Sequence, residues 1–228
     1  MGQVKEEHVR TAKLIGESGV DKLSRKSVII FGVGGVGSFA AEAIARAGVG
    51  KITLVDHDTV AKSNINRQLI ALNSTLGKLK TDVMVSRIRD INPEADISGI
   101  PEFFTEENKD SFNIEKYDFV LDCIDSVPSK IALIKLAKEK NVPVISAMGA
   151  GNRLCPEKFE ISDISKTSYC RLARAVRQKL KKEGIEHLTV VFSKEPPIQR
   201  EGAPGSISFV PSSAGLLMAS FVIKELIK

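Results

Sequence analysis

Residues 28–37 read Val28-Ile29-Ile30-Phe31-Gly32-Val33-Gly34-Gly35-Val36-Gly37. A short continuous apolar run bounded by glycine is the mark of a strand covered on both faces. The glycines follow the spacing Gly32-x-Gly34-x-x-Gly37, and the alanine-rich stretch 36–47 behind them reads as a helix. Strand, glycine turn and helix in that order make a phosphate-binding turn. The first glycine allows the tight turn and the second lets backbone approach phosphate. The third lets helix and strand pack closely, and the helix N-terminus faces the anion. Such a loop marks a nucleotide site without separating NAD from ATP.

Outward from this loop the pattern repeats. Ile52-Thr53-Leu54-Val55 is a second buried strand, and it ends at Asp56, 19 residues after Gly37. A carboxylate at that place commonly accepts hydrogen bonds from ribose hydroxyls. A helix with apolar positions Leu79, Val83, Val85 and Ile88 is stopped by Asn92-Pro93. Further strands are expected near 97–100, 119–121 and 142–145, with a helix at about 128–140. Residues 5–24 read as an opening helix with apolar positions near Val9, Leu14, Val20 and Leu23. Beyond 150 come a basic helix at about 168–183, a strand at 188–192 and a loop over 193–207. Pro211-Ser212-Ser213 is expected to cap a last apolar helix. Strands alternating with helices of this length predict βαβ units and a parallel sheet. The expected fold class is α/β, Rossmann-like, a mostly parallel sheet flanked by helices with a C-terminal extension. The expected organisation is one α/β domain over 1–228, with a nucleotide-binding core at about 24–150 and a C-terminal section at about 151–228.

The chain has 228 residues, 43% of them hydrophobic, enough for one sizeable core. A formal charge of +5 admits an anionic partner, although many ordinary proteins share that balance. The polar opening Met1-Gly2-Gln3-Val4-Lys5-Glu6-Glu7 does not suit a secretory signal, nor Glu6 a myristoylation pattern. The longest apolar stretch, 214–223, is half of what a bilayer crossing needs, so no membrane partner is expected. Cys123, Cys155 and Cys170 contain no Cys-x-x-Cys pair. They support neither a disulfide framework nor a four-cysteine zinc site, and a reducing cytoplasm fits best. Cys123 ends an apolar strand and reads as a buried structural thiol, while His8, His57 and His187 lack metal-ligand spacing.

A polar cluster separates the two nucleotides. Asp58, Asn64, Asn66, Arg67, Gln68 and Lys80 lie downstream of the second strand, and Asp122 and Asp125 downstream of the fourth. Ligands of open α/β sheets sit at the carboxyl ends of strands, so Asp56, Asp122 and Asp125 are expected to crowd one crevice. Arg67 and Lys80 supply charge for phosphates, and a nearby carboxylate suits Mg²⁺, which binds through one or two carboxylates. A substrate carboxylate attacking an anionic phosphorus centre needs fixed positive charge, whereas hydride transfer needs a flat nicotinamide pocket. The cluster moves the reading from redox chemistry to adenylation with ATP. The expected nucleotide-binding set is Gly32, Gly34, Gly35, Gly37, Asp56, Asp58, Asn64, Arg67, Gln68 and Lys80.

The segments GVGGVGSFAAEAIARAGVGKITLVDHDTV, SNINRQ, GKLKTDV, INPEA and DFVLDCIDS resemble the ubiquitin-activating-enzyme-like superfamily, which includes the activators of sulfur-carrier proteins. The resemblance implies that Asp56 binds ribose, that Asn64, Arg67 and Lys80 contact the triphosphate, and that Asp125 binds Mg²⁺. It also implies a homodimer in which Arg10 crosses the interface to the partner subunit's ATP.

Later segments, SAMGAGNRL, FEISDISKT, VRQKLKKEGI, VVFSKEPP and FVPSSAGLLMASFVIKELI, extend the likeness over nearly the whole chain and resemble the tRNA threonylcarbamoyladenosine dehydratases. That family adenylates the carboxylate of a modified base beside the tRNA anticodon, then closes a ring by attack of a nitrogen in the same side chain, releasing AMP. The catalytic set it implies is Arg67, Lys80, Asp125 and Arg10 acting across the dimer. Two features agree: the two Cys-x-x-Cys pairs usual in sulfur-carrier activators are missing, and an intramolecular ring closure needs no acyl-carrying cysteine. A third is the basic helix, where Arg171, Arg174, Arg177, Lys181 and Lys182 form a polar side opposite Leu172, Val176 and Leu180. Such a face suits an RNA backbone. The chain departs from its relatives at Cys170-Arg171, where Asp-Pro is common, and at Cys155, often acidic. These changes leave the expected ATP residues intact and bear on RNA docking. The alternative within the superfamily is activation of a ubiquitin-like sulfur carrier; from another class, a dinucleotide-binding redox enzyme or nucleotide sensor. A cooperating sulfur-transfer protein is a further possible partner.

Overall fold

A computed structural model describes residues 4–199 and 201–228. Seven strands form one sheet: β1 (Ser27–Phe31), β2 (Lys51–Val55), β3 (Asp96–Ile100), β4 (Phe119–Asp122), β5 (Val144–Ala147), β6 (Phe159–Asp163) and β7 (Thr189–Ser193), in the order β3-β2-β1-β4-β5-β7-β6. All neighbouring pairs are parallel except β6 with β7. Among the described residues the six α-helices are α1 (Val9–Ser24), α2 (Gly37–Arg46), α3 (Lys80–Ile91), α4 (Val127–Glu139), α5 (Arg171–Lys182) and α6 (Phe209–Leu226). Strand order reverses between β1 and β4, which opens a crevice at their carboxyl ends.

Alternation along the strands divides the core in two. Val28, Ile30, Ile52, Leu54 and Leu121 pack with α2, α3 and α6, and Ile29, Phe31, Val55 and Val120 pack with α4 and α5. Strands apolar at every position are required because both faces of the sheet are covered. The section after residue 150 contributes β6 and β7 to the same sheet, and α6 returns to lie against α2.

Three local expectations are corrected. The opening helix is broken at Gly16, whose backbone is left-handed at φ 77°, and Val9 and Leu14 are exposed; only Val20 and Leu23 of the four reach the core. Strand β6 was hidden in the sequence because it is an antiparallel edge whose pattern Phe-Glu-Ile-Ser-Asp is too polar for a buried strand. Helix α6 begins at Phe209, so Pro211 lies inside its first turn, where a missing N–H costs nothing. The Ser212 and Ser213 hydroxyls donate back to the Ser208 and Phe209 carbonyls, and neither caps the helix. By length and composition α6 passes for a membrane span, but Val210, Ala214, Met218, Ala219 and Val222 are buried in the core.

Charges tie the elements together. Lys130 on α4 is wholly buried, its Nζ donating to Asp122 Oδ2 at 2.8 Å, Ser146 Oγ at 3.1 Å and the Ala147 carbonyl at 3.0 Å. The Ser146 hydroxyl donates to the same carboxylate at 2.6 Å. On the other side of the molecule Asp118 receives Lys26 and both the amide and the hydroxyl of Ser27, each at 2.8 Å. Partial burial opposes ionisation of Asp118, but the Lys26 bond and those from Ser27 outweigh it and hold the carboxyl below its usual range.

Two stability outcomes follow. Lys130→Met leaves the buried Asp122 carboxylate without its counter-charge and should cost about 3–5 kcal/mol, whereas the double variant D122N/K130M should recover much of the loss, read from urea midpoints. Because the folded pKa of Asp118 is depressed, its stabilisation is complete above the unfolded carboxylate range and lost as pH falls through the folded value. Asp118→Asn should therefore lower the urea midpoint at pH 7 and narrow the gap from wild type near pH 3.

Candidate active site

The crevice above the β1–β4 reversal is a cleft of about 580 Å³. Its first wall is the glycine turn. Gly32 has φ 91°, and a Cβ there would meet the Cys123 carbonyl; a Cβ on Gly37 would strike the Gly32 carbonyl oxygen. These two glycines make the turn possible. Gly34 is different: a Cβ there would meet only Gln68 Nε2 at 3.6 Å, so its missing side chain leaves room over the cleft. The turn is pinned by Asp56, whose Oδ2 accepts the Val33 amide at 2.6 Å and whose Oδ1 accepts the Asp58 amide at 2.9 Å.

The polar wall is the segment from Ala61 to Gln68. Asn64 Oδ1 accepts the Ala61 amide at 3.1 Å, and the Asn64 carbonyl accepts the Arg67 and Gln68 amides at 3.0 and 2.9 Å. This tight turn presents Asn64, Asn66, Arg67 and Gln68 to the cleft. Arg67 Nη1 is steadied by the Ser63 carbonyl and Asn66 Oδ1, both at 2.9 Å. Asn66 in turn donates to the Ser206 carbonyl at 2.9 Å, bringing the 204–206 loop to the rim. Gln68 Oε1 is buried at the cleft wall with no partner among the described residues, an orphan that a polar ligand would satisfy.

Lys80, 5% exposed at the start of α3, sits 2.6 Å from Asp58 Oδ2 and 3.9 Å from Asp56 Oδ1. Asp125, which also lines the cleft, lies exposed just before α4. Asp56, His57 and Asp58 gather ligand atoms within 4.8 Å of one another. Phe31, Val55, Phe104, Met148 and Leu172 supply an apolar side, with Phe31 and Phe104 edge to face at 5.0 Å. The lining thus combines an apolar side with a glycine turn pinned by Asp56, an arginine, a lysine and hard oxygen donors. That suits a nucleotide laid from base to phosphates and a divalent cation beside them.

Of the expected site residues, Gly32, Gly34, Gly35, Asp56, Asp58, Asn64, Arg67, Gln68, Lys80 and Asp125 line the cleft. Gly37 lies beneath it as the support of the turn. Asp122 does not join them: it is spent on Lys130 and Ser146 under the floor, because its strand position points into the α4 face. Arg10 is exposed on the part of α1 before Gly16 and is not among the residues lining the cleft. Burial pushes the Cys123 thiol up to about 12, with the Asp122 charge adding to it, which suits an inert wall.

The basic helix is amphipathic as expected, with Ala173, Val176 and Leu180 buried and Arg171, Arg174, Lys181 and Lys182 exposed. Arg177 is the exception. It faces inward, its Nη1 donating to the Ile164 and Thr167 carbonyls and to Thr167 Oγ1 at 2.5 Å, so it braces α5 and leaves the outer face. Lys179, not foreseen, is exposed on that face. Cys170 is buried, and its Sγ caps α5 by accepting the Ala173 amide at 3.4 Å.

Sequence reasoning missed Met148–Gly151, Phe103, Phe104 and Ser129 as cleft residues. The rule of strand carboxyl ends, applied to β5, points to Met148–Gly151. It also missed Arg153 and Glu195, nearly buried at 4% and 7% exposure. The Glu195 carboxylate accepts the Leu154 and Cys155 amides, and Arg153 donates to the Gly149, Glu195 and Tyr169 carbonyls. Burial opposes ionisation of Glu195, yet the two amides hold its carboxyl below the usual range. Together they join three loops at the cleft mouth, a pairing that no sequence spacing announces.

The ThiF family model matches residues 6–228. The tRNA threonylcarbamoyladenosine dehydratase of Bacillus subtilis (strain 168) is 44% identical over 238 residues, covering 96% of this chain and 94% of that protein. The E. coli tRNA N6-threonylcarbamoyladenosine dehydratase solved in complex with ATP superposes with a TM-score of 0.92 at 34% identity, covering 97% of this chain and 94% of that one. The same E. coli enzyme in complex with AMP gives 0.92 at 33% identity over 100% and 98%. The chain belongs to the ThiF family and, within it, to the tRNA threonylcarbamoyladenosine dehydratases.

Proposed function

We propose that this chain dehydrates threonylcarbamoyladenosine in tRNA, using ATP to adenylate the substrate carboxylate and then closing a ring. The observation that carries the reading is the convergence of the glycine turn, Asn64, Arg67, Gln68 and Lys80 on one cleft that also has an apolar side. The carboxylate oxygen attacks the α-phosphorus, and pyrophosphate leaves. A nitrogen of the same side chain then attacks the activated carbonyl carbon and AMP leaves, taking the carboxylate oxygen with it. Adenylation and ring closure together remove one water. The second nucleophile is already attached to the substrate, so effective concentration replaces a catalytic cysteine.

The residues divide the work. The turn 32–37 cradles phosphate, and Asp56 keeps lone pairs beyond its two backbone bonds to accept from ribose hydroxyls. Arg67 and Lys80 offset the negative charge that otherwise repels an incoming carboxylate. Asp125 would supply a carboxylate oxygen to Mg²⁺, which would neutralise the triphosphate when bound. The exposed face of α5 serves the tRNA backbone through Arg171, Arg174, Lys179, Lys181 and Lys182. Leu14, 88% exposed, and Val9 lie on the same helical segment as Arg10, which supports a homodimer in which Arg10 reaches the partner's cleft. The reading places the chain in the cytoplasm with its tRNA; a sulfur-transfer protein remains a candidate partner for the exposed surface.

Incubation with ATP, Mg²⁺ and tRNA bearing threonylcarbamoyladenosine should give a nucleoside lighter by one water in mass spectrometry. An unchanged nucleoside, with ATP–pyrophosphate exchange only on adding a Gly-Gly-tailed carrier, would favour protein activation. Arg67→Ala should lower kcat/KM by about 10²–10³, the usual effect of losing one group that stabilises transition-state charge. Asp125→Asn should raise the Mg²⁺ concentration needed for half-maximal rate with the fold unchanged by circular dichroism. Arg10→Ala and Lys80→Ala, each inactive alone, should on mixing regain about one quarter of wild-type activity, since random pairing into two-fold dimers leaves half the dimers with one intact site. Absence of any recovery would remove the cross-subunit role.

A further inference from the structure

We propose that Tyr169 is a stacking platform for an unpaired base of the tRNA anticodon loop, set at the mouth of the cleft beside the base being modified. The inference rests on the tRNA reading above and extends it to a residue outside the expected site.

Among the described residues, four other than glycine have left-handed backbone: Asn113, Asn141, Asn152 and Tyr169, the last at φ 51°. Asparagine tolerates that conformation through its short polar side chain, and an aromatic residue does not. Strain of this kind persists where the surroundings over-determine it, and it gathers at functional positions. The surroundings here are rigid. Arg153 Nη2 holds the Tyr169 carbonyl at 3.3 Å while its Nε holds the Gly149 carbonyl at 3.2 Å, and the next residue, Cys170, is buried as the cap of α5.

Packing does not explain the aromatic choice. The Tyr169 residue is 63% exposed, so its ring is presented to solvent at the end of a clamped backbone. Its position does suggest a use. Gly149 and Leu172, which flank this point through Arg153 and along the chain, line the cleft. On the other side begins the exposed face of α5, with Arg171, Arg174 and Lys181 and no acidic residue from Arg171 to Lys182. Cleft, aromatic ring and cationic face therefore follow one another. Single-stranded RNA loops are recognised by such an arrangement: bases stack on exposed aromatic rings and phosphates meet basic side chains. The unbroken positive face favours a polyanion over a protein surface as the occupant.

The test compares Tyr169→Asn, which removes the ring and suits the backbone, with Tyr169→Phe, which keeps the ring. Dissociation of tRNA carrying threonylcarbamoyladenosine is measured by filter binding without ATP, alongside KM, kcat and ATP affinity. Tyr169→Asn should weaken tRNA binding and raise its KM by about tenfold, with kcat and ATP affinity unchanged and the urea midpoint equal or higher. Tyr169→Phe should match wild type. The slope of log affinity against log salt should be unchanged in Tyr169→Asn and shallower in Lys181→Ala, because only the second removes a phosphate contact. Unchanged tRNA affinity in Tyr169→Asn, or an equal loss in Tyr169→Phe, would overturn the proposal. Failure of the wild-type protein to convert the nucleoside would instead remove the tRNA reading beneath it.

Discussion

The arrangement of the cleft depends on one carboxylate. Asp56 ends β2, and its two oxygens hold the amide of Val33 in the glycine turn and the amide of Asp58 in the segment that leads to the polar wall. A charge-assisted bond to each side fixes the distance between the turn and everything after residue 58. From there Asp58 meets Lys80, and the turn at Asn64 sets Arg67 and Gln68. The glycines make the turn sterically possible, but Asp56 gives it a defined place relative to the cations. Its residual lone pairs remain available to a sugar, so the same side chain organises the site and belongs to it.

Beneath the cleft, Lys130 plays a comparable part for the other half. It draws together the end of β4, Ser146 on β5 and the carbonyl of Ala147, from which Met148–Gly151 depart into the cleft. A fully buried ion pair is costly to desolvate and earns little net stability, so its presence is better understood as fixing geometry than as strengthening the core. Arg153 and Glu195 repeat this pattern at the mouth, where buried charges anchor three loops, two of them rich in glycine or proline.

Much of this was legible in the chain itself. The apolar runs at β1, β2 and β4 needed no tertiary information, because strands covered on both faces lose the alternation that would compete with a helical reading. The cluster from Asp56 to Lys80 was legible because its residues follow the ends of strands, where ligands gather. Other features depend on three-dimensional partners. Nothing local distinguishes Asp122, which turns under the floor, from Asp125, which stays at the edge; the difference is the parity of a strand and a lysine eight residues away. Arg177 shares the helix spacing of its basic neighbours and is withdrawn only because Thr167 lies opposite it. Strand β6 is polar because it is an edge, and its identity rests on pairing with β7.

The pair formed by Lys80 and Asp58 has a consequence for selectivity. The buried ammonium is already neutralised by a carboxylate oxygen at 2.6 Å, so the lysine does not present a bare cation to the cleft. An arriving anion must compete with an internal carboxylate for the charge of the lysine. A lone phosphate or a stretch of RNA backbone offers little to compensate that carboxylate. A nucleotide that brings its own divalent counter-ion offers Asp58 a new partner at the moment Lys80 is taken. Under the proposed function the pair would favour a metal-bearing triphosphate over simpler anions, a useful discrimination where the other substrate, tRNA, is itself a chain of phosphodiesters.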